Sequence, residues 1–252
     1  MTDQQLPAPP WERVPRRESK RRRDPLTQEA IVEAALRVLD AEGLDGLSMR
    51  RVGEELDTGA ASLYWHVGSK DGLLDLVLDR VIGEQEIPDP EPERWQEQLK
   101  EVARTMRATI RSHRDIVRLS IGRIPMGPNA LRYTERLLAL LRAGGVSDGL
   151  AVVGFQSMFS IVNGFTMDED AEPPADKPRP FSDEAATMVR DYVASLPRES
   201  FPNLVEMADQ FAVADPDGRF NLLLDLFVDG LAKRATAKES STSTADSVES
   251  AP

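Results

Sequence analysis

The sequence predicts an all-α fold in which a small N-terminal helical domain precedes a larger helical domain. Apolar residues recur at three- and four-residue spacing through most of residues 27–234, which is the periodicity of amphipathic helices. No stretch shows the convincing alternation of a half-buried β-strand. The two ends of the chain lack this periodicity, since one is rich in Pro and charge and the other in Ser and Thr.

The first helix is predicted at residues 27–43. Thr27 is a favourable N-cap, Glu29 suits the positive end of the helix dipole, and Gly43 is a C-terminal stop. The apolar residues that define its buried face are Ile31, Ala34, Ala35, Val38 and Leu39.

Two short helices joined by a tight turn are predicted at residues 48–66. Ser48 caps the first of them, the Asp57-Thr58-Gly59 sequence interrupts it, and the second continues to Val67. Short helices in this arrangement form a helix-turn-helix. A fourth helix begins after the cap residue Ser69 and ends near Gly83.

Seven further helices are predicted beyond the Pro-rich break at residues 88–92, namely residues 95–112, 115–122, 129–143, 147–167, 183–195, 204–211 and 218–234. Residues 168–180 are acidic and Pro-rich and are expected to form a mobile loop. Within them, Asp168, Glu169 and Asp170 are interpreted as a solvated loop edge and not as a metal site. His113 is interpreted as a capping or hydrogen-bonded structural residue.

The composition excludes several classes of function. The chain has no cysteine and only two histidines, which removes disulfides, thiolate chemistry and any all-histidine metal site of three ligands. Carboxylate sites for hard metals remain open. No glycine-rich phosphate loop, Ser-His-Asp arrangement or metalloprotease spacing is found, so we expect no enzyme activity, no cofactor and no bound metal.

A cytoplasmic protein without a membrane partner is expected. No apolar run approaches the ~20 residues that span a bilayer, and the first ten residues contain no apolar segment typical of a signal peptide.

Charge is distributed unevenly along the chain. A net charge of −12 opposes binding to a polyanion, so the placement of the cations decides whether DNA is a partner. Residues 1–26 carry seven basic and four acidic side chains, whereas residues 27–83 carry five basic and eleven acidic ones. The N-terminal arm is therefore either a solvated tail or a basic arm that reaches a DNA groove.

The second helix of the helix-turn-helix has the pattern of a recognition helix. Leu63 and Val67 are four residues apart and are expected to face inward, and six others face outward: Ala60, Ala61, Ser62, Tyr64, Trp65 and His66. Arg50 is a candidate for a bidentate contact with guanine, and Ser48 and Lys70 for contacts with phosphates. The pattern alone also fits a helical hairpin that serves only in packing.

Residues 44–52 and 63–74, which include Leu-Tyr-Trp-His-Val at residues 63–67, resemble the DNA-binding domain of tetracycline-repressor (TetR) regulators. A weaker resemblance covers most of residues 26–234. The resemblance to the family's DNA-binding domain implies base contacts from Arg50, Ala60, Ala61, Ser62 and Tyr64. It implies phosphate contacts from Ser48, Thr58, Trp65, His66 and Lys70, and Gly59 lies at the start of the recognition helix. Ala60 and Ala61 replace larger or cyclic residues of tetracycline repressors, so the operator sequence is not transferable.

The resemblance also implies an effector site in the C-terminal helices. The positions that align with the tetracycline–magnesium ligands carry Glu86, Val102, Met106, Ser120 and Leu137, which lack that chemistry. A more apolar effector is therefore expected. The candidate lining residues, each of which also fits an ordinary helical core, are Met106, Ser120, Leu137, Val152, Phe155 and Met158.

Residues 147–167 and 220–231 resemble the family's dimerisation helices, which implies a homodimer and a palindromic double-stranded operator. The alternative for both segments is an intramolecular core.

The resulting organisation is a disordered basic arm at residues 1–24, a helix-turn-helix DNA-binding domain at 25–83, a ligand-binding and dimerisation domain at 84–235, and a disordered tail at 236–252. We expect a ligand-responsive repressor; the alternative is a helical small-molecule-binding or interaction protein that has lost DNA binding.

Overall fold

The computed structural model describes residues 26–171, 175–179, 181–212 and 215–246. Within these ranges the chain forms eleven α-helices and two short 3-10 helices, without a strand, so the predicted all-α fold is confirmed. The helices are α1 (Gln28–Gly46), α2 (Met49–Glu55), α3 (Ala60–Val67), α4 (Lys70–Ile82), α5 (Trp95–Ser112), α6 (Ile116–Ser120), α7 (Pro128–Ala143), α8 (Asp148–Asp170), α9 (Asp183–Ala194), α10 (Pro202–Glu206) and α11 (Pro216–Asp246).

The predicted N-caps of α1, α2 and α4 are confirmed. The hydroxyl of Thr27 accepts a hydrogen bond from the backbone N–H of Ala30 at 3.1 Å. Ser48 accepts one from Arg51 at 3.2 Å, and Ser69 accepts one from Gly72 at 2.9 Å. Each cap satisfies a backbone donor that has no partner inside its own helix, which fixes where the helix begins.

The predicted stop at Gly43 is a break within α1 and not its end. Gly43 has a φ of 75° and a ψ of 177°, and a short helical turn then continues to Gly46. A φ in this range is easily adopted only by glycine. The glycine therefore redirects the chain toward the helix-turn-helix.

Three other predicted boundaries differ from the structure. Asp168 to Asp170 form the last turn of α8 and do not belong to a loop. The helix predicted at 204–211 is instead α10, which starts at Pro202 because proline suits the first helical turn, followed by the 3-10 helix Ala208–Ala212. Finally, α11 continues to Asp246 over part of the segment predicted as a tail, because extending an existing helix costs far less than starting one.

The chain divides into two compact units, Met1–Gln156 and Ser157–Pro252. In the first unit, α1 packs against α2, α3, α4 and α6, and α7 packs against α4 and α5. Its fully buried side chains include Leu39, Leu63, Leu99, Leu137 and Leu140. In the second unit, the fully buried side chains include Met158, Val162, Phe220, Leu224 and Val228.

The expectation that no segment is long and apolar enough to span a membrane is wrong for α8. This helix has 23 residues and a mean hydropathy of 1.4 over its most apolar part, of which 33% is buried. Length and composition alone are weak evidence for a span, because core helices of soluble proteins share them. The exposed apolar residues Val152 and Val153 lie on this helix.

Candidate nucleic-acid interface and its connection to the following helices

The outer face of α3 exposes two aromatic side chains. Leu63 is fully buried and Val67 is 8% exposed, so the inner face of this helix is covered by its neighbours. Tyr64 and Trp65, in contrast, are 46% and 60% exposed. Large aromatic surfaces beside each other in water are unfavourable unless a partner covers them. α3 thus has the burial pattern that the sequence predicts for a recognition helix.

A tight turn between α2 and α3 sets the angle at which α3 is presented. The backbone N–H of Thr58 donates to the carbonyl oxygen of Gly53 at 2.8 Å, and Asp57 adopts a φ of 48°. A Cβ atom on Gly53 would lie 2.8 Å from the carbonyl oxygen of Thr58. Gly53 therefore permits the close approach of the two helices, a requirement that the helical periodicity does not reveal.

The C-terminal end of α3 is tied to the beginning of α1. The side-chain amide of Gln28 donates to the carbonyl oxygen of His66 at 3.2 Å. This contact satisfies one of the carbonyl groups that the end of a helix leaves without a partner. It also places the start of α1 beside the recognition helix, which is where the predicted N-terminal arm joins the described chain.

Most arginines of this domain are engaged by carboxylates. Arg51 pairs with Glu42 at 2.6 Å and Arg80 pairs with Glu33 at 2.6 Å. Arg50 differs because its side chain is 87% exposed and makes only a longer ion pair with Glu54 at 3.5 Å. It is therefore the arginine of α1 to α4 most readily available to an external anion.

Eight of the eleven predicted DNA-binding residues are exposed, namely Arg50, Gly59, Ala61, Ser62, Tyr64, Trp65, His66 and Lys70. The other three, Ser48, Thr58 and Ala60, are half-buried. The hydroxyl oxygen of Ser48 already accepts a hydrogen bond as the cap of α2, so it has less capacity for a phosphate. These eleven residues lie on one continuous part of the fold, and their contacts with DNA stay predictions.

Helix α4 connects the helix-turn-helix to the helices that follow. Arg123, which lies between α6 and α7, pairs with Asp75 at 2.6 Å and with Asp71 at 2.9 Å. Further along α4, the carboxylate of Asp79 accepts hydrogen bonds from the backbone N–H groups of Asn129 at 3.3 Å and Ala130 at 2.9 Å. α4 is therefore joined to Arg123 by ion pairs and to the start of α7 by hydrogen bonds.

These connecting residues are not among those predicted from the sequence. A signal was present, because Asp71, Asp75 and Asp79 follow each other at intervals of four and so lie along one side of α4. The cap residue and the apolar stripe of α4 predict the helix itself but not the partners of these three carboxylates. The buried side chains of Gln98 and Arg107 in α5 were missed as well.

Gln98 holds the connection between α4 and α5 in place. Its amide nitrogen donates to the carbonyl oxygen of Asp89 and its amide oxygen accepts from the backbone of Glu91, both at 2.9 Å. Arg136 of α7 adds a 2.7 Å hydrogen bond to the carbonyl oxygen of Ile87. The segment between α4 and α5 is thus hydrogen-bonded to α5 and α7.

The six candidate effector-lining residues lie on four helices, α5 to α8. Met106, Leu137 and Met158 are buried, Ser120 and Phe155 are half-buried, and Val152 is 45% exposed. The hydroxyl of Ser120 donates to the carbonyl oxygen of Val117 at 2.8 Å. Burial does not distinguish a lining residue from an ordinary core residue, so this set stays a prediction.

Within the described parts of the chain, no group of three His, Asp or Glu side chains is arranged to hold a metal ion. Asp168 and Asp170 are exposed at the end of α8.

Comparison with known proteins gives two family matches. Residues 31–77 match the bacterial regulatory proteins of the tetR family, and residues 87–235 match the tetracyclin repressor-like C-terminal domain. The tetracycline repressor class A of Escherichia coli is 30% identical over 212 residues, which cover 83% of this chain and 92% of the repressor.

Relatives from Streptomyces are more similar in sequence. The transcriptional repressor DrrR1 of Streptomyces coeruleorubidus is 43% identical over 134 residues, so the matched part spans about half of each protein (53% of this chain and 50% of DrrR1). The crystal structure of apo ActR from Streptomyces coelicolor is 45% identical, with a TM-score of 0.78 over 86% of this chain and 99% of ActR. ActR bound to actinorhodin has a TM-score of 0.76 at 46% identity, over 83% of this chain and 96% of ActR.

Proposed function

The chain belongs to the TetR family of bacterial transcriptional regulators, and we propose that it is a ligand-responsive DNA-binding repressor. The observation that carries the proposal is the exposed aromatic pair, Tyr64 and Trp65, on a helix whose other face is buried. In the described part of the chain both side chains stay exposed, and a DNA groove would cover them. Salt-dependent binding to the DNA upstream of the chain's own gene tests the proposal.

Base recognition is proposed for the outer face of α3 and for Arg50. The guanidinium of Arg50 projects from the first turn of α2 and gives up only a long, exposed ion pair when it turns to a guanine, a modest loss. Ala60, Ala61 and Ser62 are small enough to allow close approach to base edges, and Tyr64 reaches further along the groove. Phosphate contacts are proposed for Ser48, Thr58, Trp65, His66 and Lys70.

The acidity of residues 27–83 leaves few cations for phosphate contacts. Counterion release upon phosphate neutralisation supplies much of the affinity of DNA-binding proteins. We propose that the basic arm at residues 1–24 supplies part of it, because the start of α1 lies beside the end of α3. The arm would then add affinity without adding much sequence preference.

A homodimer is proposed through α8 and α11. Val152 and Val153 on α8 are 45% and 54% exposed, and Leu222 and Leu226 on α11 are 59% and 66% exposed. On each of the two long helices, exposed apolar residues of this kind favour contact with a second copy of the chain. A two-fold axis would present two recognition helices to the two halves of a palindromic operator.

A small-molecule effector is proposed to bind among the C-terminal helices. ActR has been crystallised with actinorhodin, which supports a small-molecule site at the corresponding place in this chain. We propose an effector more apolar than magnesium-chelated tetracycline, because the aligned positions include Val102, Met106 and Leu137. It would act by binding one of two conformations more tightly, with α4 transmitting the difference to the helix-turn-helix.

The alternative, a helical binding protein that has lost DNA binding, is favoured by the acidic charge of residues 27–83 and by the ion pair between Arg50 and Glu54. Binding of upstream DNA that depends on Arg50 and Tyr64 separates the two. We further propose that the protein has no catalytic activity and resides in the cytoplasm, in keeping with a regulator that meets DNA there.

A further inference from the structure

His113 lies where the DNA-binding helices meet the helices that follow. It is the C-cap residue of α5, and its side chain is only 12% exposed. Its Nδ1 atom is 3.1 Å from a carboxylate oxygen of Asp40 on α1. Its Nε2 atom is 2.9 Å from a carboxylate oxygen of Glu84, which follows α4. One imidazole ring therefore joins three helices through two carboxylates.

This geometry selects the protonated form of the ring. A neutral imidazole has one N–H donor and one acceptor nitrogen, whereas an ionised carboxylate only accepts hydrogen bonds. Two carboxylates on opposite sides of the ring can both be satisfied only when both ring nitrogens carry protons. Loss of the proton would leave one nitrogen lone pair facing a carboxylate oxygen at hydrogen-bonding distance.

The neighbouring charges favour the same form. Asp40 is held in place by a 3.2 Å hydrogen bond from the backbone N–H of Arg114, and Glu84 by a 2.7 Å ion pair with Arg80. Burial alone would lower the pKa of His113, but the hydrogen bonds to Glu84 and Asp40 outweigh it and raise the pKa above its ordinary value of 6.5.

Asp115, Arg114 and Arg80, which are charged groups close to these carboxylates along the chain or in contact with them, have other partners as well. On the side of α6, Asp115 accepts from the backbone N–H of Leu44 at 2.9 Å and pairs with Arg118 at 3.1 Å. Arg114 directs its guanidinium to the carbonyl oxygen of Ala41 at 3.2 Å, and Arg80 also pairs with Glu33. Arg80 is therefore paired with carboxylates, Arg114 donates to a backbone carbonyl, and Asp40 and Glu84 are the side chains at hydrogen-bonding distance from the ring.

We propose that His113 forms a proton-dependent contact that holds the DNA-binding domain to the ligand-binding and dimerisation domain. In its imidazolium form it holds α1 and the end of α4 against the end of α5; in its neutral form it releases one of them. Since the folded state raises the pKa, this stabilisation is complete below pH 6.5, the ordinary value, and is lost as the pH rises through the folded-state value. A role of this contact in regulating DNA binding rests on the proposed function, but the proton-dependent contact itself does not.

Histidine NMR on the full-length protein without DNA tests the titration. The chain has two histidines, so the His66→Gln variant leaves the C2–H signal of His113 alone and assigns it in the wild type. We expect a titration midpoint above 6.5, and a lower midpoint in each of the matched variants Asp40→Asn and Glu84→Gln. Circular dichroism verifies that these variants are folded. A midpoint at or below 6.5 overturns the proposal, as does a midpoint that neither substitution lowers.

Hydrogen–deuterium exchange tests whether protonated His113 holds the helices together. Amide protection of residues 40–46 and 82–86, corrected for the intrinsic pH dependence of exchange, should fall as the pH rises through the measured midpoint. The His113→Gln variant keeps a polar side chain but does not titrate, so its protection should not follow this pH dependence. The same fall in protection in both proteins, or no fall in the wild type, overturns the proposal that the His113 contact holds the helices together. Neither measurement involves DNA, so failure here leaves the proposed repressor function untouched.

Discussion

Asp79 of α4 accepts a hydrogen bond from the backbone N–H of Ala130 at 2.9 Å and so caps the first turn of α7 from another helix. The helix has no side-chain cap of its own, because its N-cap residue is Gly127. A Cβ atom on Gly127 would collide with the carboxylate of Asp79. The start of α7 and the last turn of α4 are therefore fitted to each other.

Replacing Asp79 by Ala should lower the free energy of unfolding by about 1–3 kcal/mol, because buried N–H groups at the start of α7 would lose their acceptor. Urea denaturation followed by circular dichroism measures this. Asp45→Ala is the matched control, since the Asp45 side chain is 88% exposed and makes only a 3.5 Å pair with Arg118. It should change stability by less than about 0.5 kcal/mol. Equal losses in the two variants would argue against a capping role.

The proposed dimer predicts that Leu226→Glu produces monomers. Leu226 is 66% exposed on α11, and a carboxylate there would have to be buried without a partner in the interface. Sedimentation velocity at micromolar concentration measures the association state. Ile124→Glu is the control, because Ile124 is 83% exposed but lies between α6 and α7, outside both proposed interface helices. A wild-type monomer, or a Leu226→Glu dimer, would refute the proposed interface.

The proposed effector chemistry predicts that an apolar compound stabilises the protein against heat and that tetracycline with magnesium does not. A ligand that binds only the folded state raises the unfolding temperature, and the stabilisation grows with the logarithm of its concentration once that concentration exceeds Kd. A thermal-shift screen should include actinorhodin, because it binds the similar ActR. Selective stabilisation by tetracycline with magnesium would show that the expectation of a more apolar effector is mistaken.

Deletion of residues 1–24 should weaken binding to upstream DNA and make the affinity less dependent on salt. On duplex DNA, each phosphate contact contributes about 0.9 to the slope of log affinity against log salt concentration. Fluorescence anisotropy with labelled DNA at several salt concentrations measures both quantities. An unchanged affinity and slope would mean that the arm is only a solvated tail.

The helices of the DNA-binding domain could be predicted because their signals are local. Thr27, Ser48 and Ser69 are caps that act within three residues, and Leu63 and Val67 define the buried face of α3 by spacing alone. Single-sequence patterns record such short-range relationships well.

The connections between helices could not be predicted in the same way. Asp79 and Ala130 are 51 residues apart, and His113 is 73 residues from Asp40, so no local pattern pairs them. The need for Gly53 likewise depends on the path of the chain after it, at Thr58. These long-range contacts connect the helices of the helix-turn-helix domain with the helices that follow it.

We claim that the α2–α3 helix-turn-helix reads operator DNA, and salt-dependent binding to the upstream DNA by the wild type, Arg50→Ala and Tyr64→Ala measures this. Arg37→Ala is the control, since Arg37 pairs with Glu55 and lies on α1. We expect wild-type binding that weakens with salt, a loss of about 1–3 kcal/mol for Arg50→Ala, weaker binding for Tyr64→Ala, and little change for the control. Absence of binding, or binding that neither Arg50 nor Tyr64 influences, would contradict the claim.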